Sequence, residues 1–254
     1  YVGEGAFSLC PLLTTVVFPD SVEMPYGRVF YRSNAITHVT LPSGMTSIGP
    51  GMFYNNFQLQ EIVIPKGVNR IYEFAFFCCS SLKEVVIPDG VTLLDEFVLA
   101  DCTSLEHVTI PASVTSIGND AFTDCDALHT VNIESSTNPI KIHTQTGDWG
   151  TFYDSPLSTI KLDREVNYVN AAGSAFTLDD WDEGVFANEE YNGDFTATVT
   201  LGSNVKTIWP YMFSGVRMQN VTIPASVTSI GKEAFYDCRV LTHVTCEGPT
   251  APTL

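Results

Sequence analysis

The sequence predicts an α/β repeat solenoid: like units stacked along the whole 254-residue chain, with one main parallel β-sheet, a second set of short strands or turns, and short helices. Three observations predict it. Phe7, Phe30, Phe53, Phe76, Leu99 and Phe122 follow one another at a constant step of 23 residues, which lies inside the length range of one repeat unit. A β-branched residue followed by proline recurs in register, as Ile64-Pro65, Ile87-Pro88, Ile110-Pro111 and Ile223-Pro224. A small residue recurs three positions after each large one, as Cys10, Ser33, Asn56, Cys79, Cys102, Cys125, Ser155 and Cys238.

Residues 105–125 write the unit most cleanly. Val108 and Ile110 alternate with polar neighbours, as a half-buried strand should. Pro111 ends that strand because proline cannot donate to a ladder. Val114 to Ile117 is a second, shorter extended piece, and Gly118 permits a tight turn after it. Ala121, Phe122, Cys125 and Leu128 are spaced three to four apart, which predicts a short helix with one apolar face. One unit cannot bury these faces alone. Stacked units bury each residue against its own equivalents.

The resulting pattern, Leu-x-x-Val-x-Ile-Pro-x-x-Val-Thr-x-Ile-Gly-x-x-Ala-Phe-x-x-Cys, resembles the BspA-like leucine-rich repeats. It covers about nine to ten units over nearly the whole chain, with weaker units in the middle. The resemblance implies a curved leucine-rich-repeat stack, exported by bacteria and used in adhesion.

The continuous repeat argues for a single domain over residues 1–254. Ten strands at about 4.8 Å would make a sheet roughly 45 Å long. No apolar run reaches transmembrane length, and the chain does not open on a signal-peptide pattern. Val2 to Phe7 instead matches Ile117 to Phe122, so the chain opens in mid-repeat, and the natural protein is expected to extend further toward its N-terminus.

A net charge of −17, from 29 acids against 12 bases, argues against nucleic acid and against anionic membrane surfaces as partners. It leaves a basic protein, a cation or a neutral glycan, with plain solubility as the simplest reading.

The cysteines read as structure. Five of the seven sit at the small position three residues after the large one, a buried column in which free cysteine packs well. There is no CxxC pair, and an odd number favours free thiols. No HExxH, GxSxG, phosphate-loop or dinucleotide motif appears, so the sequence points to no catalytic residue, no cofactor and no metal.

The position before the strand valine reads His38, Glu61, Glu84, His107, Thr130, Thr159, Asn220 and His243. Two residues on come Thr40, Val63, Val86, Thr109, Asn132, Lys161, Thr222 and Thr245. Both rows should face away from the core. His38 and His107 are three units apart, roughly 14 Å, too far to share a metal ion. The histidines therefore belong either to an extended recognition face or to a merely solvated one.

Beyond Phe122 the repeat loosens. Residues 134–198 form an irregular block with added length, twelve acids against Lys141, Lys161 and Arg164, and two of the three tryptophans. Extra residues in repeat proteins loop outward, where a partner can reach them. Candidate anchors are Trp149, Tyr153, Trp181 and Tyr191, with Tyr168 also in the block. Asp179, Asp180, Asp182 and Glu183 offer charge to a basic partner. The alternative is that these rings cover distorted repeats. Asp180 and Asp182 before Gly184 look like the start of a calcium loop, but the closing glutamate is missing and a solvated acidic loop is favoured.

The expectation that follows is a non-enzymatic protein-binding module at a cell surface or outside the cell, engaging a host or matrix protein. A structural spacer in a longer surface chain and a glycan-binding module are the alternatives.

Overall fold

The computed structural model describes residues 1–143, 150–170, 174, 184–186 and 196–248. The main sheet is parallel throughout. Thr15–Val17, His38–Thr40 and Glu61–Ile62 pair in that order. His107–Ile110, Thr130–Ile133, Thr159–Leu162 and Thr198–Leu201 form a second run, and Asn220–Ile223 pairs with His243–Cys246. An isolated bridge from Ala197 to Met218 joins the second run to the last pair, and another from Glu84 to His107 extends the second run by one unit. The shorter strands make their own parallel sheet in the order Ser47–Ile48, Arg70–Ile71, Leu93–Leu94, Ser116–Ile117, Ile140–His143 and Val166–Val169, with Thr207–Ile208 and Ser229–Ile230 as a separate pair.

Register places like on like. Val108, Val131, Ile160 and Val199 are successive partners and all are buried, while the residues between them face outward. The large-residue column forms as expected. Rings of Phe7, Phe30, Phe53 and Phe76 stack with centroids 5.8, 5.2 and 5.3 Å apart. Leu99 takes one place, and Phe122, Phe152, Phe186, Phe213 and Phe235 continue at 5.1, 5.6, 5.5 and 5.5 Å. Burying one such side chain is worth about 1.5–3 kcal/mol. The column crosses the irregular block without a gap, so the added residues leave the core unbroken.

The expected short helices are absent: no α-helix occurs among the described residues. The reason is a pair of left-handed residues flanking most of the large ones. Phe74 and Cys78 bracket Phe76 with φ of 55° and 57°, Phe97 and Asp101 bracket Leu99 at 51° and 58°, and Asp120 and Asp124 bracket Phe122 at 50° and 55°. Left-handed residues cannot continue a right-handed helix. The amides of Phe74, Phe76 and Cys78 instead donate to the carbonyls of Glu96, Val98 and Ala100 in the next unit. The turn still sets apolar residues inward at three-to-four spacing, which is why its sequence imitates a helix.

The small-residue column is more than packing. Sγ of Cys79, Cys102 and Cys125 each donates at 3.3 Å to the carbonyl of Phe53, Phe76 and Leu99 in the preceding unit. Where serine or asparagine replaces cysteine the bond persists: Asn56 Nδ2 donates to the Phe30 carbonyl at 2.7 Å, Ser155 Oγ to Phe122 at 3.1 Å, and Ser33 Oγ to Phe7. Cys238 Sγ donates to the Phe213 carbonyl in the same way, so the position favours a small donor, with buried Val216, three residues after Phe213, as an exception.

Gly118 is explained by close approach rather than by a turn conformation. A Cβ there would meet the backbone of Asp95 and Glu96 in the neighbouring unit. Gly184, the glycine of the calcium-like run, is excluded from carrying a side chain in the same way by Tyr211 and Met212.

Candidate functional site

The outward rows of the main sheet are where the alternation of the strands puts them. His38 and Glu61 are register partners, with His38 Nδ1 3.3 Å from a Glu61 carboxylate oxygen. Glu84 bridges to His107, whose Nε2 lies 4.0 Å from Glu84 Oε1. His243 stands in the same row opposite Asn220, with Nδ1 2.9 Å from Thr242 Oγ1. The three candidate histidines thus fall at separate places along the face. Among the described residues, no three of His, Cys, Asp and Glu gather as metal ligands.

Between Glu61–Ile62 and the unit that starts at Leu82, the main sheet parts. An open groove of about 720 Å³ runs there, lined by Ile62, Val63, Ile64 and Pro65 on one side and Val86, Ile87 and Pro88 on the other. Val63 is 79% exposed and Val86 is 66% exposed. The equivalent positions in the flanking units are Thr40 and Thr109, both polar and outward. The sequence signal for this pair is two adjacent valines in a row that is otherwise polar from Thr40 to Thr245. Val17, in the first unit, shares the row but is separated from the pair by Thr40.

The candidate residues of the irregular block divide. Trp149, Asp179, Asp180, Trp181, Asp182, Glu183 and Tyr191 lie outside the described residues. Tyr153 is half-buried, one residue after the column residue Phe152. Tyr168 is core: it is 2% exposed, meets Trp209 edge-on at 5.6 Å, and its hydroxyl accepts the Val185 amide at 3.0 Å. It points inward because the strand Val166–Val169 buries that position. Several acids of the block serve the fold. Glu134 Oε2 accepts the Ala112 amide, Asp163 Oδ1 the Asn204 amide, and Glu165 Oε2 the amides of Lys206 and Thr207.

Electrostatics at the thiols is that of structural cysteine. Burial pushes Cys79, Cys102 and Cys125 well above the ordinary thiol range, and Cys78 and Cys238 up to about 12. A thiol so shifted stays protonated and is a poor nucleophile. At one turn corner, burial first and then the neighbouring carboxylates of Asp101 and Asp154 raise Asp124 above the usual carboxylate range.

Comparison with known proteins agrees with this geometry. The BspA type leucine-rich repeat region matches in six copies, over residues 1–106, 27–144, 95–177 and 184–251. No curated protein matches the chain. Among solved structures, a leucine-rich repeat protein from Bacteroides ovatus is 22% identical with a TM-score of 0.60, over 94% of this chain and 64% of that one. The chain therefore spans just under two thirds of that protein's length. A T. pallidum leucine-rich repeat protein is 21% identical, over 90% of this chain and 78% of that one, with a TM-score of 0.48. A leucine-rich cell-surface protein from Faecalibacterium prausnitzii is 21% identical, over 93% and 79%, with a TM-score of 0.40. With repeat matches spanning most of its length, a ring column, parallel sheets in register and a donor column beneath them, the chain belongs to the BspA-type leucine-rich repeat family.

Proposed function

We propose that the chain is a non-enzymatic protein-binding module of a bacterial cell-surface or secreted protein, acting in adhesion or in contact with a host or matrix protein. The observation that carries this reading is the outward face of the main sheet. Alternate strand positions hold polar, charged and apolar side chains in two ordered rows on a rigid stack, which is a surface for recognising an extended partner rather than a pocket for one small reactant. Family membership supports export and surface placement. No helix among the described residues is long and apolar enough to cross a membrane. The anchors of the irregular block, Trp149, Tyr153, Trp181, Tyr191 and the acids from Asp179 to Glu183, are proposed as a second contact region on their sequence alone.

A rigid spacer is the reading to set against it, because the continuous column of large side chains makes a stiff stack whether or not its face is used. The two are separated by presenting the purified chain to immobilised extracellular matrix proteins and to a glycan array. The module reading expects binding to a protein that weakens as salt rises. Binding to no protein would favour the spacer, and binding to glycans alone would favour carbohydrate recognition.

A further inference from the structure

We propose that the parting of the main sheet is a docking groove for an extended segment of a partner protein that carries a lysine or arginine and an apolar residue two positions apart. The proposal rests on the protein-binding reading and specifies the chemistry of its partner. Charge comes first. Glu61 and Glu84 occupy the same row in adjacent units, their side chains 77% and 62% exposed. Like charges so placed repel each other. His38 approaches Glu61 from one side of the pair and His107 approaches Glu84 from the other, so the facing sides of the two carboxylates stay open to a cation. Lys66 and Asp89, of opposite sign, hold equivalent positions in adjacent units at the far end of the groove, and Lys83 and Glu106 hold equivalent positions in successive units.

Apolar surface comes second. Val63 and Val86 lie two residues beyond Glu61 and Glu84 in the chain, and line the groove with Ile64, Ile87, Pro65 and Pro88. Side chains two apart on an extended chain share a face and lie about 6.6 Å apart. A partner segment lying along the groove would therefore set a basic side chain between the glutamates and, two residues away, an apolar one over the valines. A partner with the two side chains adjacent would turn one of them away.

Fluorescence polarisation with short labelled peptides tests this on the 254-residue chain. The probes are Gly-Thr-Lys-Thr-Leu-Thr-Gly, its reverse with Leu before Lys, a version with Lys and Leu adjacent, and one with Glu replacing Lys. One of the two spaced peptides is expected to bind, with at least about tenfold weaker binding of the adjacent and acidic versions. V63T/V86T and E61Q/E84Q should each weaken the spaced peptide by about tenfold. The valine exchange copies the threonines of the flanking units and keeps the fold, which a matching melting curve verifies. No binding of either spaced peptide at millimolar concentration, or equal binding by wild type and both variants, would overturn the groove. So would self-association of the wild type that V63T/V86T abolishes, because the occupant would then be a second copy. A matrix protein captured equally by wild type and both variants would overturn the groove and leave the module reading standing. Peptide discrimination without capture of any protein would do the opposite.

Discussion

The guanidinium of Arg164 donates to the carbonyl of Val114, 50 residues earlier in the chain, at 2.8 Å. The same side chain reaches the Asn138 carbonyl through Nη2 at 2.8 Å and through Nε at 3.2 Å, and it is fully buried. Burial lowers its pKa, and its charge is met by backbone carbonyls. Arg164 thus adds a buried side-chain tie between the irregular block and the regular unit before it, beside the pairing of Ile140–His143 with Ser116–Ile117.

Replacing Arg164 with methionine should leave buried carbonyls without a donor, at about 1–3 kcal/mol each. A total loss of about 2–4 kcal/mol is expected, read by chemical denaturation. Arg164→Lys should recover only part of it, because an ammonium lacks the fork that serves Val114 and Asn138 together. A melting curve unchanged in Arg164→Met would show that the block holds itself.

The ring column predicts a graded response at Phe76. Phe76→Ala should cost about 3–5 kcal/mol, as emptying a large core site does. Phe76→Leu should cost much less, since Leu99 already holds an equivalent place one unit on. Equal losses from the two would mean that aromatic stacking, and not volume, dominates.

Donation, not size alone, should govern the cysteine column. Cys102→Ser keeps a donor for the Phe76 carbonyl, as Ser155 does for Phe122, and should stay within about 1 kcal/mol of wild type. Cys102→Val fills the space without donating and should cost more. In thiol labelling of the folded chain, exposed Cys246 should react quickly, while Cys79, Cys102 and Cys125 wait for denaturant.

Asp124→Asn should stabilise the protein at neutral pH. A carboxyl whose pKa is raised by folding favours the folded state only below its ordinary value of 3.8, and that advantage is lost as pH rises through the raised value. The gain at pH 7 should be a few tenths of a kcal/mol, the scale of a half-exposed charge contact, and should vanish below about pH 3. Asn55 already occupies the equivalent left-handed position with φ of 58°, so the exchange brings no backbone strain. A gain that persists at low pH would assign the effect to something other than charge.

The stacking residues were legible because a repeat writes the same inward position many times. Phe30, Phe53, Phe76 and Phe122 announce their column through spacing alone. The turn was misread because its cue was mixed. Gly51, Asn55, Asp101 and Asp124 suit positive φ, whereas Phe74, Cys78 and Phe97 occupy the same kind of position with no such preference. Arg164 was hidden for a different reason. A single arginine among twelve acids reads as a surface charge, and only the fold shows it turned inward. Tyr168 was read as a loop aromatic because the strand around it lies where the repeat loosens, and Val63 and Val86 became informative only once the sheet was seen to part beside them.

The turn hydrogen bonds have a direction. From Phe7 to Val29, Phe53 to Ala75, Phe76 to Val98 and Phe213 to Ala234, the amide of one unit always donates forward to the carbonyl of the next. An extended strand can pair with a neighbour running either way, but a segment with every axial donor on one side cannot. An inverted unit would bring donors against donors and carbonyls against carbonyls. The peptide dipoles of these bonds, about 3.5 D each, add along this edge of the stack as they do in a helix. The solenoid is thus a vectorial object, and a unit exchanged between two such chains could join only head to tail.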